Sequence, residues 1–294
     1  MKYRITHQTQ YLYSRAVLLC HNEARLQPRQ TARQSCRQSA VAVEPAPAAR
    51  AERADFFGNR VLYFAVQEPH EQLTVTATSE VEVVPPPLSP PPDASPPWDA
   101  LGAALDDQLD AENRAARQFV LDSPCAAAAP EVRAFAEASF PPGRPTLAAV
   151  LDLSRRIHRE FRFEQQRTTV ATPVSEVLAQ RHGVCQDFAH LAIACVRSLG
   201  LPARYVSGYV ETLAAPGQPR LQGADVSHAW FAVYVPGLGW VDFDPTNDCL
   251  PSDRYVTTAW GRDYADVTPL KGVLFGGGGH TLAVSVDMAR VEVG

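Results

Sequence analysis

The spacing of apolar positions changes character twice along the 294-residue chain. Over residues 1–84 apolar and polar side chains alternate. KYRITHQTQYLY follows period two, and LTVTATSEVEVV does so again, with Leu73, Val75 and Ala77 on one face. Period two marks strands with one buried side. DFFGNRVLYFAV carries Gly58-Asn59 between two apolar runs, which predicts a two-residue hairpin turn. Several short strands with turn signals predict a small all-β, sandwich-like domain over residues 1–84.

Residues 85–97, PPPLSPPPDASPP, hold eight prolines in thirteen positions. Such a stretch favours polyproline II and builds no core, so it is expected to be a stiff linker. From residue 98 to 200 the spacing is helical. PEVRAFAEASF opens with Pro130 at a helix-start position. TLAAVLDLSRRIHREFRF sets Leu147, Val150, Leu151, Ser154 and Ile157 on one helix face. TPVSEVLAQR offers Thr172 as a cap ahead of Pro173. A last helical run follows Gly183 and is stopped by Gly200 and Pro202.

After Gly200 period two returns in PARYVSGYVETL, VSHAWFAVYV and GWVDFDPT, with PGLG (236–239) as the turn between the last two. GGGG (276–279) reads as a linker before a final strand, HTLAVSVDMARVEV. The expected domains are therefore 1–84 (β), 85–97 (linker), 98–275 (α+β) and 276–294 (glycine linker and strand).

Composition narrows the function. Hydrophobic residues make up 46% and charged residues 20%, as in folded globular chains. The net charge of −5 argues against nucleic acid as main partner. The basic run from Arg25 to Arg53 has no interleaved aromatics and reads as a solvated face. The N-terminus has no apolar signal region, and no run approaches eighteen apolar residues, so no membrane partner is expected. The six cysteines show no CxxC spacing, which suggests free thiols and a cytoplasmic setting.

The segment RHGVCQDFAH holds the candidate chemistry. Gly183-Val184 is a turn and Phe188 begins an apolar helical run, so Cys185 falls in the first turn of a buried helix. Unpaired N–H groups and the positive end of the helix dipole meet there. Both favour the reactive thiolate, and the N–H groups could receive the oxyanion of an attacked carbonyl. A metal site is disfavoured: Cys185, His190 and Cys195 point about 140° apart around a helix, and His182 with Cys185 gives two ligands where structural zinc takes four. No metal or cofactor is expected. Cys185 alone could also be a small buried side chain.

A cysteine nucleophile needs a base, and the base an orienting acceptor. His228 opens a strand, and Asp242 and Asp244 share a face with Trp240 on the next. Facing residues of an antiparallel pair have a constant index sum. A clean four-residue loop pairs 235 with 240 and sends His228 and Asp244 to opposite faces. A five-residue loop pairs 234 with 240 and sets Asp244 diagonally from His228, roughly 7–8 Å away between backbones and within side-chain reach. Gly237 and Gly239 can supply the positive φ this requires.

GVCQDFAHLAIACVRSLGLPARYVSGYV followed by SHAWFAVYVPGLGWVDFDPTN resembles the transglutaminase-like superfamily of papain-type cysteine enzymes. HQTQYLY, RLQPR, DFFGNRV and AWGRDYADVTPLKGV resemble its bacterial branch, in which a β-domain precedes the catalytic core. The resemblance implies an α+β, papain-like transglutaminase core behind an all-β domain. It puts the nucleophile at Cys185, the base at His228 and its orienter at Asp244, and not at Asp242. It implies a thioester route on peptide or glutamine-type amides, ending in hydrolysis or acyl transfer, with a peptide or protein as substrate. The alternative is a non-catalytic peptide-binding or scaffold protein on the same fold.

Among neighbouring residues, His182, Gln186, Trp230 and Arg262 are the candidates for substrate contact, Gln186 through its backbone N–H. Trp230 also suits a hairpin core, and Arg262 a structural ion pair with Asp263. Asp187 reads as a helix-stabilising carboxylate, and His190 as a buried structural histidine.

Overall fold

The computed structural model describes residues 1–86, 91–107, 111–212 and 227–291. In chain order its elements are strands β1 (Lys2–Ala24), β2 (Gln34–Glu44), β3 (Ala49–Ala54), β4 (Arg60–Val66) and β5 (His70–Val83), then helices α1 (Leu101–Asp107), α2 (Ala111–Arg117), α3 (Pro130–Glu137) and α4 (Thr146–Glu160). There follow β6 (Arg162–Phe163), α5 (Val174–Gln180), β7 (His182–Gly183), α6 (Cys185–Ser198), β8 (Ala203–Val210), β9 (Ser227–Val235), β10 (Gly239–Phe243), β11 (Tyr255–Gly261), α7 (Tyr264–Val267), β12 (Leu270–Gly276) and β13 (His280–Arg290).

The all-β expectation for residues 1–84 holds, and β1 is its spine. Its first half pairs with β5 on one edge and β13 on the other; its second half pairs with β4 and β12. The register shifts near Leu12–Val17 and again at Val17–Leu19, where the strand bends. Bending lets the two halves face each other across a core that joins Val17, Cys20, Phe64 and Val66 to Val41, Val43, Leu73 and Val75. Alternation supplies those inward positions, as the period-two pattern requires.

Four expectations need correction. The hairpin at Gly58-Asn59 is not a two-residue turn: β3 and β4 pair from Ala54 and Arg60, leaving a five-residue loop. Asp55 closes that loop by accepting from the N–H groups of Phe57 and Asn59. The domain boundary at 275/276 is misplaced, because β12 already pairs with β1. The four glycines are not a linker but the turn between β12 and β13 that follows the bend of β1. Gly276, Gly277 and Gly278 have φ of 96°, 79° and 63°, and a Cβ on Gly276 would stand 2.7 Å from the Ala16 carbonyl. Finally, Thr172 does not cap α5; Pro173 takes that position, and the Thr172 hydroxyl accepts from the Thr169 N–H. Of the proline linker, residues 87–90 lie outside the described residues. Its far end is tied down, with Ser95 Oγ accepting from Leu147 N–H at the start of α4.

The second sheet runs β10-β9-β8-β11, all antiparallel. On one face lie the helices. α6 is buried from Asp187 to Arg197 and packs against β8 and β9 on one side and α3 on the other, where Cys195 Sγ reaches the Val132 carbonyl. Small side chains at Ala189, Ala192 and Ala194 permit that close approach. The other face, with Val206, Trp230, Ala232 and Tyr255, looks toward the N-terminal domain.

The two domains meet at β11, the edge strand. Its open backbone groups are met by side-chain amides. Gln34 bonds both the N–H and C=O of Thr257, and Asn59 does the same for Trp260. An exposed edge is thereby closed without another strand. A shared apolar cluster of Tyr3, Ile5, Val81 and Val286 with Tyr209 and Val256 completes the junction. Beside it His7 bonds Tyr209, and Arg290 bonds Glu211 through two nitrogens.

Candidate active site

Cys185 is the first residue of α6, as the spacing predicts, and is half-buried. The approach to it is tightly specified. Arg181 adopts a left-handed conformation (φ 56°) and ends α5. His182–Gly183 then pairs in parallel with Arg162–Phe163, and Val184 caps α6. The Asp187 carboxylate accepts from Val184 N–H at 2.8 Å and from Thr168 Oγ1 at 2.6 Å. Burial pushes that carboxyl up, against the hydrogen bonds that lower it. The helix-stabilising role expected of Asp187 is the one observed. Gly183 is required by this arrangement, since a Cβ there would stand 2.8 Å from the carboxylate. With Val184 N–H taken, the following amides of the first turn are left at the helix tip, where an anion would be welcome.

The hairpin takes the register that brings His228 and Asp244 together. Tyr234 pairs with Trp240 and Phe231 with Phe243, and Gly237 and Gly239 both have φ of 79° at the turn. His228 Nε2 and Asp244 Oδ2 lie 2.7 Å apart, and Asp244 is fully buried. The same carboxylate takes four further donors. Oδ1 accepts from the N–H groups of Thr246 (2.9 Å) and Asn247 (3.2 Å); Oδ2 accepts from Tyr255 OH and Asn247 Nδ2, each at 2.7 Å. These bonds outweigh burial and hold the Asp244 carboxyl below the usual carboxylate range. Burial pulls His228 down, but the hydrogen bond to Asp244 and the nearby Asp244 and Cys185 side chains prevail and it is pushed up to about 10. With Nε2 committed to Asp244, Nδ1 is the nitrogen left for the thiol.

Asn247 and Tyr255 are site residues the sequence reading missed. The DPTN turn carried a signal for the first, because an aspartate beginning a tight turn commonly accepts the N–H groups that follow. Nothing local marked Tyr255, which comes from β11.

The other candidates divide. His182 lines a charged cleft of about 410 Å³ with Arg162, Arg167 and Arg181, three residues before the cysteine. Gln186 is half-buried in the first turn of α6. Trp230 is buried; it stacks near His228 with ring centres 6.1 Å apart and donates to Asp242. Its place is in the hairpin core behind the histidine. Arg262 departs from expectation: Nε and Nη2 bond Asp266 at 2.9 and 3.0 Å, so its partner is not Asp263. Asp263 instead caps α7 and accepts from Cys125 N–H. His190 is buried, accepts from Tyr264 N–H, and is lowered by burial to about 4, as suits a structural neutral imidazole. Among the described residues no group of three or more His, Cys, Asp or Glu side chains is placed to hold a metal ion. Among those residues, too, no helix is long and apolar enough to cross a membrane.

Comparison with known proteins agrees with this architecture. Residues 133–245 match the transglutaminase-like superfamily and residues 3–82 the bacterial transglutaminase-like N-terminal region. An uncharacterized protein of Mycobacterium tuberculosis is 42% identical over 99% of this chain and 93% of its own length. A protein-glutamine gamma-glutamyltransferase of Pseudomonas aeruginosa is 32% identical over 34% of this chain and 15% of its own length. A crystal structure from Cytophaga hutchinsonii, described provisionally as a cysteine protease, covers all of this chain and 92% of its own. It has a TM-score of 0.76 at 22% identity, a likeness of fold.

Proposed function

The chain belongs to the transglutaminase-like superfamily, and from that membership we propose that it is a cysteine-dependent amide-bond enzyme with Cys185 as nucleophile, His228 as base and Asp244 as orienter. The observation that carries the reading is the 2.7 Å bond between His228 Nε2 and Asp244 Oδ2, which leaves Nδ1 for the thiol at the tip of α6. Asp244 selects the tautomer and stabilises the imidazolium.

The Cys185 thiolate attacks the carbonyl carbon of a peptide or glutamine-type amide. Amides at the start of α6, that of Gln186 among them, receive the oxyanion. His228 Nδ1–H gives its proton to the departing amine as the C–N bond breaks, leaving a thioester on sulfur. Water or a second amine then attacks; His228 takes the proton of that nucleophile, and the thiolate leaves. His182, at the charged cleft before Cys185, is the substrate contact this arrangement favours. All six cysteines are free, which supports work in a reducing, cytoplasmic setting on a peptide or protein substrate.

The test is to incubate the protein with a library of peptides and glutamine analogues and look for a thioester on Cys185 by mass spectrometry. An adduct absent from Cys185→Ala and His228→Ala is the expected result. Release that accelerates with added amine marks a transferase, and release indifferent to amine a hydrolase. No adduct with any amide, together with thiol-labelling of Cys185 at the same rate in His228→Ala, would leave a non-catalytic binding protein.

A further inference from the structure

On the sheet face turned away from α6 lies a second polar site. Arg204 of β8 is only 8% exposed. Its guanidinium carbon sits 4.2 Å from the centre of the Trp240 ring and 3.9 Å from that of Trp260. Among the described residues nothing accepts a hydrogen bond from it, and its Nε is buried without a partner. Burial pulls it down to about 9. It borders a cleft of about 210 Å³ between the two domains, walled by Trp230, Trp240, Trp260 and Tyr255, with Arg33 and Asp242 at its sides. The Asp242 carboxylate accepts from the Trp230 indole N–H and attracts the Arg204 charge without a hydrogen bond to it.

A buried cation without hydrogen bonds is costly. Stacking on indoles offsets only part of the cost of leaving a charged group's donors unpaired. Stacking also covers the faces of the guanidinium and leaves its edge, the part that matches a carboxylate in two parallel bonds. The cleft is below the roughly 300–1,000 Å³ of drug-sized sites, so its occupant is small.

We propose that this cleft binds the carboxylate of an amino acid or of a peptide C-terminus, with Arg204 as the anchor and the tryptophans as walls. Arg33 adds positive charge at the rim. Asp242 offers an acceptor for a free ammonium group if the occupant is an amino acid. The cleft shares Trp230 and Tyr255 with the shell behind His228 and Asp244, but binding there needs none of the thiol chemistry proposed above.

Three of the four tryptophans line the cleft, so intrinsic fluorescence reports occupancy. Full-length protein and Cys185→Ala are titrated with L-leucine, N-acetyl-leucine, leucine amide and sodium sulfate. A saturable change is expected with leucine or N-acetyl-leucine, at least about tenfold weaker with the amide and with sulfate, and equal in Cys185→Ala. Leucine above N-acetyl-leucine identifies a free amino acid; equality identifies a peptide C-terminus. In Arg204→Met the response disappears while the urea midpoint stays or rises, because a binding residue held at a cost to folding has been removed. Arg204→Lys, which keeps the charge but not the planar fork, weakens binding and covers the case in which the methionine variant does not fold. The proposal is overturned if neither acid gives a saturable change into the ~10 mM range, if amide or sulfate matches the acids, or if Arg204→Met binds normally.

Discussion

At the residue scale, the site is built around one carboxylate. Asp244 accepts five hydrogen bonds in full burial, so its orientation is determined from every side. Asp244→Asn would turn an NH₂ toward groups that themselves donate, and would lose the acceptor that selects the His228 tautomer. Single-turnover formation of the thioester should fall by about 10²–10⁴-fold. Tyr255→Phe removes one of the five donors and leaves the rest; a loss of about tenfold, the effect of ~1.4 kcal/mol, is expected in the same assay. A Tyr255→Phe rate as low as that of Asp244→Asn would mean the phenol acts on the substrate rather than through Asp244. Cys185, His228 and Asp244 were legible because each sits at a predictable place on its element. Tyr255 was not, because its role comes from a strand paired only through β8.

At the element scale, the decisive feature is how α6 begins. Gly183 and Asp187 occupy the same space, and the carboxylate holds the Val184 N–H that sets the first turn. Gly183→Ala should cost about 1–3 kcal/mol, the usual penalty for overpacking, and should slow thiol labelling of Cys185. Asp187→Ala should cost about 0.5–2 kcal/mol through the lost cap. Urea unfolding of both variants and of the double mutant checks the mechanism. If the clash is the cause, the alanine at 183 costs little once Asp187 is gone, so the two effects do not add. The hairpin shows what sequence arithmetic can do: the pairing of residue 234 with 240 followed from requiring two side chains on one face. Parity did not reveal the five-residue loop after β3, because Asp55 closes it with side-chain bonds.

At the scale of the whole molecule, two side-chain amides hold the domains together at β11. Asn59 is fully buried and bonds both backbone groups of Trp260. Asn59→Ala leaves those groups unpaired and should destabilise the protein by about 1–3 kcal/mol, read as a lower urea midpoint. Buried histidines also set a pH profile. Burial lowers His7 and His190 from 6.5 to about 4. As pH falls from 6.5 toward 4 the unfolded chain gains protons the folded one refuses, and stability drops. His228 is raised from 6.5 to about 10 by Asp244 and Cys185 against its burial. Its contribution is complete below pH 6.5 and is lost as pH rises through 10. The raised carboxyls of Asp187 and Asp242 oppose the acid limb at its lower end. Stability should therefore peak near pH 6.5. Urea midpoints across pH should show the alkaline slope flattened in His228→Ala and the acid slope reduced in His7→Gln.

Local pattern alone determined the strands of the first 84 residues, the helices from Pro130 to Ser198, the placement of Cys185 at a helix start and the hairpin that carries the other two site residues. These are properties of spacing, and spacing is written along the chain. Only tertiary structure decided that residues 270–290 return to pair with β1, that Tyr255 of β11 supports Asp244, and that Arg204 faces an interdomain cleft with its hydrogen bonds unmade. Each depends on groups far apart in sequence meeting across a core, where burial and shape, rather than periodicity, select the partner.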